Sequence, residues 1–139
     1  MNYKIIGKYI SELKFNIPNS KTFFLLSKDI SNYKINIDIK SNRIREKIIE
    51  VSTSLNLESV KNNFEKITTK IVFASIVELL NNKIDKEEME KIVLVEVPNE
   101  IYGELRSIFV NLFEKSGFKD VKINKNVDFE KLYNMRKIQ

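Results

Sequence analysis

Four stretches of the chain alternate apolar and polar residues with period two, the pattern that sets one row of side chains on each face of a β-strand. In the first, Tyr9, Leu13, Phe15 and Ile17 oppose Lys8, Glu12, Lys14 and Asn16, and Pro18 ends it. The second sets Tyr33, Ile35, Ile37 and Ile39 against Lys34, Asn36, Asp38 and Lys40. From about Ile49 the third runs through Val51, Thr53, Leu55 and Leu57, with Glu50, Ser52, Ser54, Asn56 and Glu58 outward. The fourth carries Ile67, Thr69, Ile71, Phe73, Val77 and Leu79 on one face. Its other face passes from Lys66, Thr68 and Lys70 to Val72, Ala74 and Ile76, which predicts burial on both sides in its second half. Asparagine tolerates positive φ, so Lys61-Asn62-Asn63 predicts a hairpin turn between strands three and four, with a looser connection at Ser41-Asn42. Short connections forbid parallel crossovers, and the expected sheet is an antiparallel meander with one polar face.

After Asn81-Asn82 the period becomes helical. Asp85 suits an N-cap, Glu88 follows three residues on as in a capping box, and Ile84 can staple onto Met89. The apolar stripe of this helix is Met89, Ile92 and Val93, widened by Leu94 and Val95, and the approach to Pro98 ends it. Its β-branched residues make a strand the competing local reading; the cap favours helix. A second helix starts at Pro98 or Asn99, with Ile101, Leu105, Ile108, Phe109 and Leu112 at helical spacing and Gly117 placed for a left-handed C-terminal residue. Val121 and Ile123 then form a short extended piece, and Asp128 can cap a last turn or two holding Phe129, Leu132 and Tyr133.

A chain of 139 residues is the size of one domain, residues 1–139, and 42% hydrophobic with 31% charged residues is a globular composition. The longest apolar run, Ile92 to Val95, is far short of a bilayer span, and the N-terminus lacks the apolar core of a secretory signal, so a cytoplasmic location without direct membrane insertion is expected. With no cysteine and no histidine, thiolate nucleophiles, sulfur-ligated metals, triads and imidazole chemistry lose their usual residues. Three glycines cannot build a phosphate loop. Asp85, Glu87, Glu88 and Glu90 read as a helix start, where carboxylates meet the positive end of the helix dipole. An enzyme is therefore not expected, nor a catalytic residue, metal or cofactor.

The net charge of +5 raises the question of a phosphate-rich partner. Lysine is spread over the whole chain, only four arginines occur, and Asp38, Glu50 and Glu58 interrupt the basic residues of the outward sheet face, so no nucleic-acid partner is expected. A small basic RNA-binding α+β module stays the alternative from another class. More informative is Phe23-Phe24-Leu25-Leu26, four consecutive large apolar residues in the connection between the first two strands. Either this segment covers the core as a strand or helical turn, or it is a site for apolar peptide segments. Tyr102, Leu105, Phe109 and Phe113 on the second helix offer an opposite wall.

One ordered set of residues spans nearly the whole chain: Tyr9, Leu13, Phe15 and Pro18-Asn19, then Met89, Pro98-Asn99, Arg106, Gly117-Phe118, Val127-Asp128-Phe129 and Leu132-Tyr133. In order and spacing this set resembles the SecB family of protein-export chaperones. The resemblance implies an α+β fold: a four-stranded antiparallel sheet with two main helices packed on one side, assembled as a homotetramer, a dimer of dimers. It implies an ATP-independent holdase that binds unfolded preproteins in apolar grooves, keeps them translocation-competent and delivers them to the SecA ATPase. On that pattern the client-binding residues are Phe23, Phe24, Leu25, Leu26, Tyr102 and Leu105, the oligomer interface is Met89, Ile92, Val93 and Val95, and Glu12 matches a SecA-docking position. Asn16 and Lys70 stand where acids would be expected, and Gly103 and Asn126 where the family has proline. A second reading within the family is a SecB-like chaperone tied to a toxin-antitoxin system.

Overall fold

The computed structural model describes residues 2–28, 33–59, 67–119, 121 and 123–138. Strands β1 (Tyr3–Asn16), β2 (Tyr33–Arg45), β3 (Ile48–Ser59) and β4 (Thr68–Leu79) form a fully antiparallel sheet in the order β1-β4-β3-β2. Only β2, β3 and β4 make the expected meander. β1 lies beside β4, so the connection of residues 17–32 crosses three inter-strand spacings, about 14 Å, a distance well within its reach. The edges of the sheet are therefore β1 and β2.

That connection contains α1 (Ser20–Lys28). Asn19 caps it: its Oδ1 accepts from the Thr22 amide at 2.8 Å and its carbonyl from the Phe23 amide at 3.1 Å. The strand meant to end near Ser41-Asn42 continues to Arg45, and the turn is Glu46-Lys47, closed by Arg43 Nη1 donating to the Glu46 carbonyl at 2.8 Å. The hairpin turn expected at Lys61-Asn62-Asn63 lies outside the described residues.

Register explains a second difference. Irregularities between Ile5 and Gly7 and between Ile10 and Glu12 interrupt the period of β1. Tyr9 is paired with Ala74, whereas Leu13 and Phe15 are paired with Ile71 and Thr69. Paired residues share a face, so Tyr9 lies on the face opposite Leu13 and Phe15, and its hydroxyl donates to Glu50 Oε2 at 2.5 Å. Ala74 is fully buried on that outer face, and Val72 and Ile76 are half-buried, as the composition of β4 suggested.

Beyond β4 the helical region runs from Lys86 to Lys115. α2 (Lys86–Lys91) is capped by Asp85, whose Oδ1 accepts from the Glu88 amide at 2.8 Å. It passes into a π-helical turn (Ile92–Glu96) and then into α3 (Val97–Lys115) with helical backbone angles at each junction. The expected break at Pro98 is instead this π turn. Proline has no amide proton and its ring would strike the carbonyl of Leu94 in a regular α-helix; the wider turn relieves the clash without ending the helix.

Ile101, Leu105, Phe109 and Phe113 recur every four residues along α3 and are buried against the sheet together with Leu55, Ile71 and Phe73. A second cluster joins Tyr3, Ile49, Val51, Val77 and Leu79 to Ile92, Val93 and Val97. α3 ends at Gly117, φ 105°, where the Phe118 amide donates to the Phe113 carbonyl at 3.0 Å and the Gly117 amide to that of Glu114 at 3.2 Å. The chain then returns along α3, held by Tyr102 Oη to the Asn124 carbonyl at 2.7 Å and Arg106 Nε to that of Ile123 at 3.1 Å. Asp128 Oδ1 accepts from the Lys131 amide at 3.0 Å and caps α4 (Phe129–Ile138), longer than the turn or two expected. No helix among the described residues is long and apolar enough to cross a membrane.

Candidate functional site

Among the described residues, strand β2 pairs with β3 alone, so its other side is an edge of the sheet. Ile37 and Ile39 pair with Leu55 and Thr53, which are buried under the helices, so both isoleucines point to the helical side of the sheet. Beneath this edge lie two clefts. One, of about 220 Å³, is lined by Ile37, Asp38, Ile39, Leu94, Phe129, Leu132 and Tyr133. The other, of about 330 Å³, is lined by Ile39, Ser41, Lys86, Met89, Glu90, Val93 and Leu94. Ile39 and Leu94 belong to both, so the clefts run end to end along β2.

Local structure explains each wall. The π turn carries Leu94 to the junction of the clefts, while its neighbours Ile92 and Val93 are buried against the sheet. α4 supplies Phe129, Leu132 and Tyr133, and Tyr133 Oη donates to Glu90 Oε2 at 3.1 Å, which ties α4 to α2 across the groove. Leu132 is 49% exposed, so one wall offers an open aliphatic side chain. From Ile37 to Ser41 the groove follows about 14 Å of strand, the length of a five-residue extended segment. An incoming peptide could add backbone pairs along the edge and place alternate side chains between the isoleucines and Leu94.

The residues singled out from the sequence are distributed differently. Leu26, Tyr102 and Leu105 are buried in the main core cluster and present no surface to a client. Phe23 is half-buried, its ring centroid 4.7 Å from that of Phe118, and Leu25 is half-buried as well. Phe24 alone of the six is open, at 55% exposure. The reason is α1 itself: once residues 20–28 are helical, one face must close over the end of the core. In the expected oligomer interface, Ile92 and Val93 are buried within the chain's own second cluster, and Met89 and Val95 remain half-buried. The width of that apolar stripe is used by the sheet on one side and the groove on the other.

Sequence reasoning missed Ile37, Ile39, Leu94, Phe129 and Leu132 as groove residues. The alternation gives the isoleucines only as the apolar face of a strand, because nothing local marks β2 as an edge. Leu94 left a signal: it widened the helix stripe beyond what one sheet requires.

The outer face of the sheet carries Glu12. Its carboxylate meets Lys14 Nζ at 3.0 Å and Lys70 Nζ at 3.6 Å, and the hydrogen bond from Lys14, then the charge of Lys70, hold it below the usual carboxylate range. The residue that the family resemblance matches to a SecA-docking position is thus flanked by two cations. Among the described residues, no group of acidic side chains is arranged to hold a metal ion.

Known proteins agree with this architecture. A family model for the preprotein translocase subunit SecB matches residues 1–139. A Pelagibacter ubique chain named provisionally as a protein-export protein SecB is 42% identical over 135 residues, covering 97% of this chain and 96% of that one. Protein-export protein SecB 1 of Gluconobacter oxydans is 26% identical over 142 residues, covering 95% and 80%. In fold, the chain is similar to the Mycobacterium tuberculosis SecB-like chaperone solved with a ChAD peptide of the HigA1 antitoxin, with a TM-score of 0.68, 10% identity, and coverage of 91% and 88%. With the family match spanning every residue, this chain belongs to the SecB family of protein-export chaperones.

Proposed function

We propose that the chain acts in the cytoplasm as an ATP-independent holdase, capturing extended segments of unfolded preproteins in the groove beneath β2. The observation that carries this reading is the pair of adjoining, mainly apolar clefts that share Ile39 and Leu94 along the edge strand β2, from Ile37 to Ser41. Aliphatic contacts at about 25 cal/mol per Å² are indifferent to sequence, and so are backbone hydrogen bonds, which suits a chaperone that takes many clients. Folded proteins bury both kinds of group and are released. No covalent step or cofactor enters such a cycle.

The same reading includes assembly. β1 is the other free edge, with Ile6, Tyr9, Ile10 and Leu13 all exposed along its length. An edge of 14 residues with apolar side chains on both faces supports pairing between two copies, and a closed tetramer completes the arrangement. Hand-over to SecA would use the outer sheet face around Glu12. A second reading, protection of an antitoxin, is favoured by the fold likeness to a chaperone solved with an antitoxin peptide.

Light scattering of a chemically unfolded, signal-bearing precursor tests the proposal. The protein should suppress aggregation, and Leu132→Ser, a change at an open position, should weaken suppression without altering the far-ultraviolet circular dichroism or the sedimentation coefficient. Full suppression by L132S and by Leu94→Ser would overturn the groove assignment. Suppression restricted to an antitoxin, with none for precursors, would favour the second reading.

A further inference from the structure

The end of the sheet that carries the Glu46-Lys47 turn holds two open aliphatic side chains. Ile44 is 47% exposed and Leu80 is 52% exposed. Ile44 is the extra residue of the bulge between Arg43 and Arg45. The Leu79 amide donates to the Lys47 carbonyl at 2.8 Å and the Leu80 amide to that of Asn2 at 2.8 Å, so Leu80 leaves the sheet beside the turn. Arg43, Arg45, Lys47 and Lys83 are exposed at the same end. Two of the chain's four arginines thus bracket Ile44, and the turn segment 43–47 holds three cations against Glu46.

From this juxtaposition we propose that the Ile44/Leu80 tip, with Arg43, Arg45, Lys47 and Lys83, is a docking surface for an anionic lipid bilayer. Charge complementarity commits it to an anionic surface: guanidinium and ammonium groups pair with headgroup phosphates and are attracted by the negative surface potential. The aliphatic residues choose among such surfaces. Ile44 and Leu80 gain nothing from a phosphate backbone and cannot stack on bases as an aromatic platform would, whereas the headgroup and acyl boundary takes up exposed aliphatic groups. The groove beneath β2 shares none of these residues, so docking and client capture are independent. Such a contact holds an export chaperone at the surface its clients must cross.

Co-sedimentation of the full chain with vesicles tests this, using phosphatidylcholine alone and an equal mixture of phosphatidylcholine and phosphatidylglycerol. Binding is expected to the mixed vesicles and not to the neutral ones, weakening with added salt. The double variant R45Q/K47Q should lower the partition coefficient roughly 25-fold, at about fivefold per cation. Ile44→Ser and Leu80→Ser should each weaken binding severalfold at full positive charge, and all variants should keep the holdase activity of the parent. Three results would overturn the proposal: equal binding to neutral vesicles, vesicle binding unchanged in the variants, or no vesicle binding at all. A parallel titration with a single-stranded oligonucleotide separates the remaining case. If R45Q/K47Q weakens the oligonucleotide and the vesicles alike while I44S and L80S change neither, the tip reads phosphate alone and the lipid assignment falls.

Discussion

Phe23 lies against Gly117. A Cβ at Gly117 would meet Phe23 Cζ at 3.3 Å, and the glycine adopts φ 105°, a conformation that L side chains rarely take. The same ring packs at a tilt against Phe118, which in turn lies 5.5 Å from Phe113, so the end of α3 and α1 close on one another. Gly117→Ala should therefore cost about 1 to 3 kcal/mol of stability through backbone strain, with further loss from the displaced ring. Urea denaturation should show a lower midpoint at unchanged slope. A midpoint equal to the parent's would show that the turn can re-form without glycine.

The glycine inside α3 behaves oppositely. Gly103 lies within the helix, and a Cβ there would meet nothing within 4 Å. Without a steric or conformational need for glycine, Gly103→Ala should stabilise the chain by about 0.5 to 1 kcal/mol, by lowering the entropy of the unfolded state. Calorimetry should record a rise of about 3 °C in Tm.

Adjacent phenylalanines in α1 should separate cleanly. Phe23 is packed on Phe118 and half-buried, so Phe23→Ser should lose about 2 kcal/mol. Phe24 is open, and Phe24→Ser should stay within about 0.5 kcal/mol of the parent. Paired unfolding curves check the contrast. Equal losses would mean that α1 does not present these faces in solution.

What was legible in the sequence was local. Asp85 caps a helix where its spacing to Glu88 predicted, Asp128 caps the last helix as expected, Gly117 takes positive φ, and the alternation of Ile35, Ile37 and Ile39 is that of a strand. Arg106 and Tyr133, two members of the ordered residue set, hold the returning chain and α4 in place. What stayed hidden was non-local. Pairing of β1 with β4 decides that β2 is an edge, and no pattern within β2 records it. The bulge between Ile10 and Glu12 moved Tyr9 to the other face, because one extra residue inverts a period of two. Leu26 and Tyr102 look like any other exposed-loop or helix residue until α1 folds Leu26 into the core and the returning chain, with Phe129, packs on Tyr102.

Two titrating groups set opposite limits on stability. Tyr3 is buried, and its hydroxyl donates to Glu100 Oε2 at 2.9 Å; burial first, then this hydrogen bond and the charge of Glu100, push its pKa well above the ordinary tyrosine value. The folded chain thus keeps a proton that the unfolded chain releases, so the contribution of Tyr3 is whole below about pH 10 and drains away as pH rises beyond it. Glu12 has the reverse sign. Its pKa is lowered chiefly by the hydrogen bond from Lys14, so its contribution is present above the ordinary glutamate pKa and is lost as pH falls through the depressed value. Tyr3→Phe should be less stable than the parent at neutral pH, by about 1 kcal/mol for the lost hydrogen bond, yet show a shallower decline above pH 10. Glu12→Gln should leave the alkaline limb unchanged and flatten the acid limb alone. Urea midpoints measured across the pH range in all three chains test both signs, and an alkaline limb in Y3F as steep as the parent's would remove Tyr3 as its source.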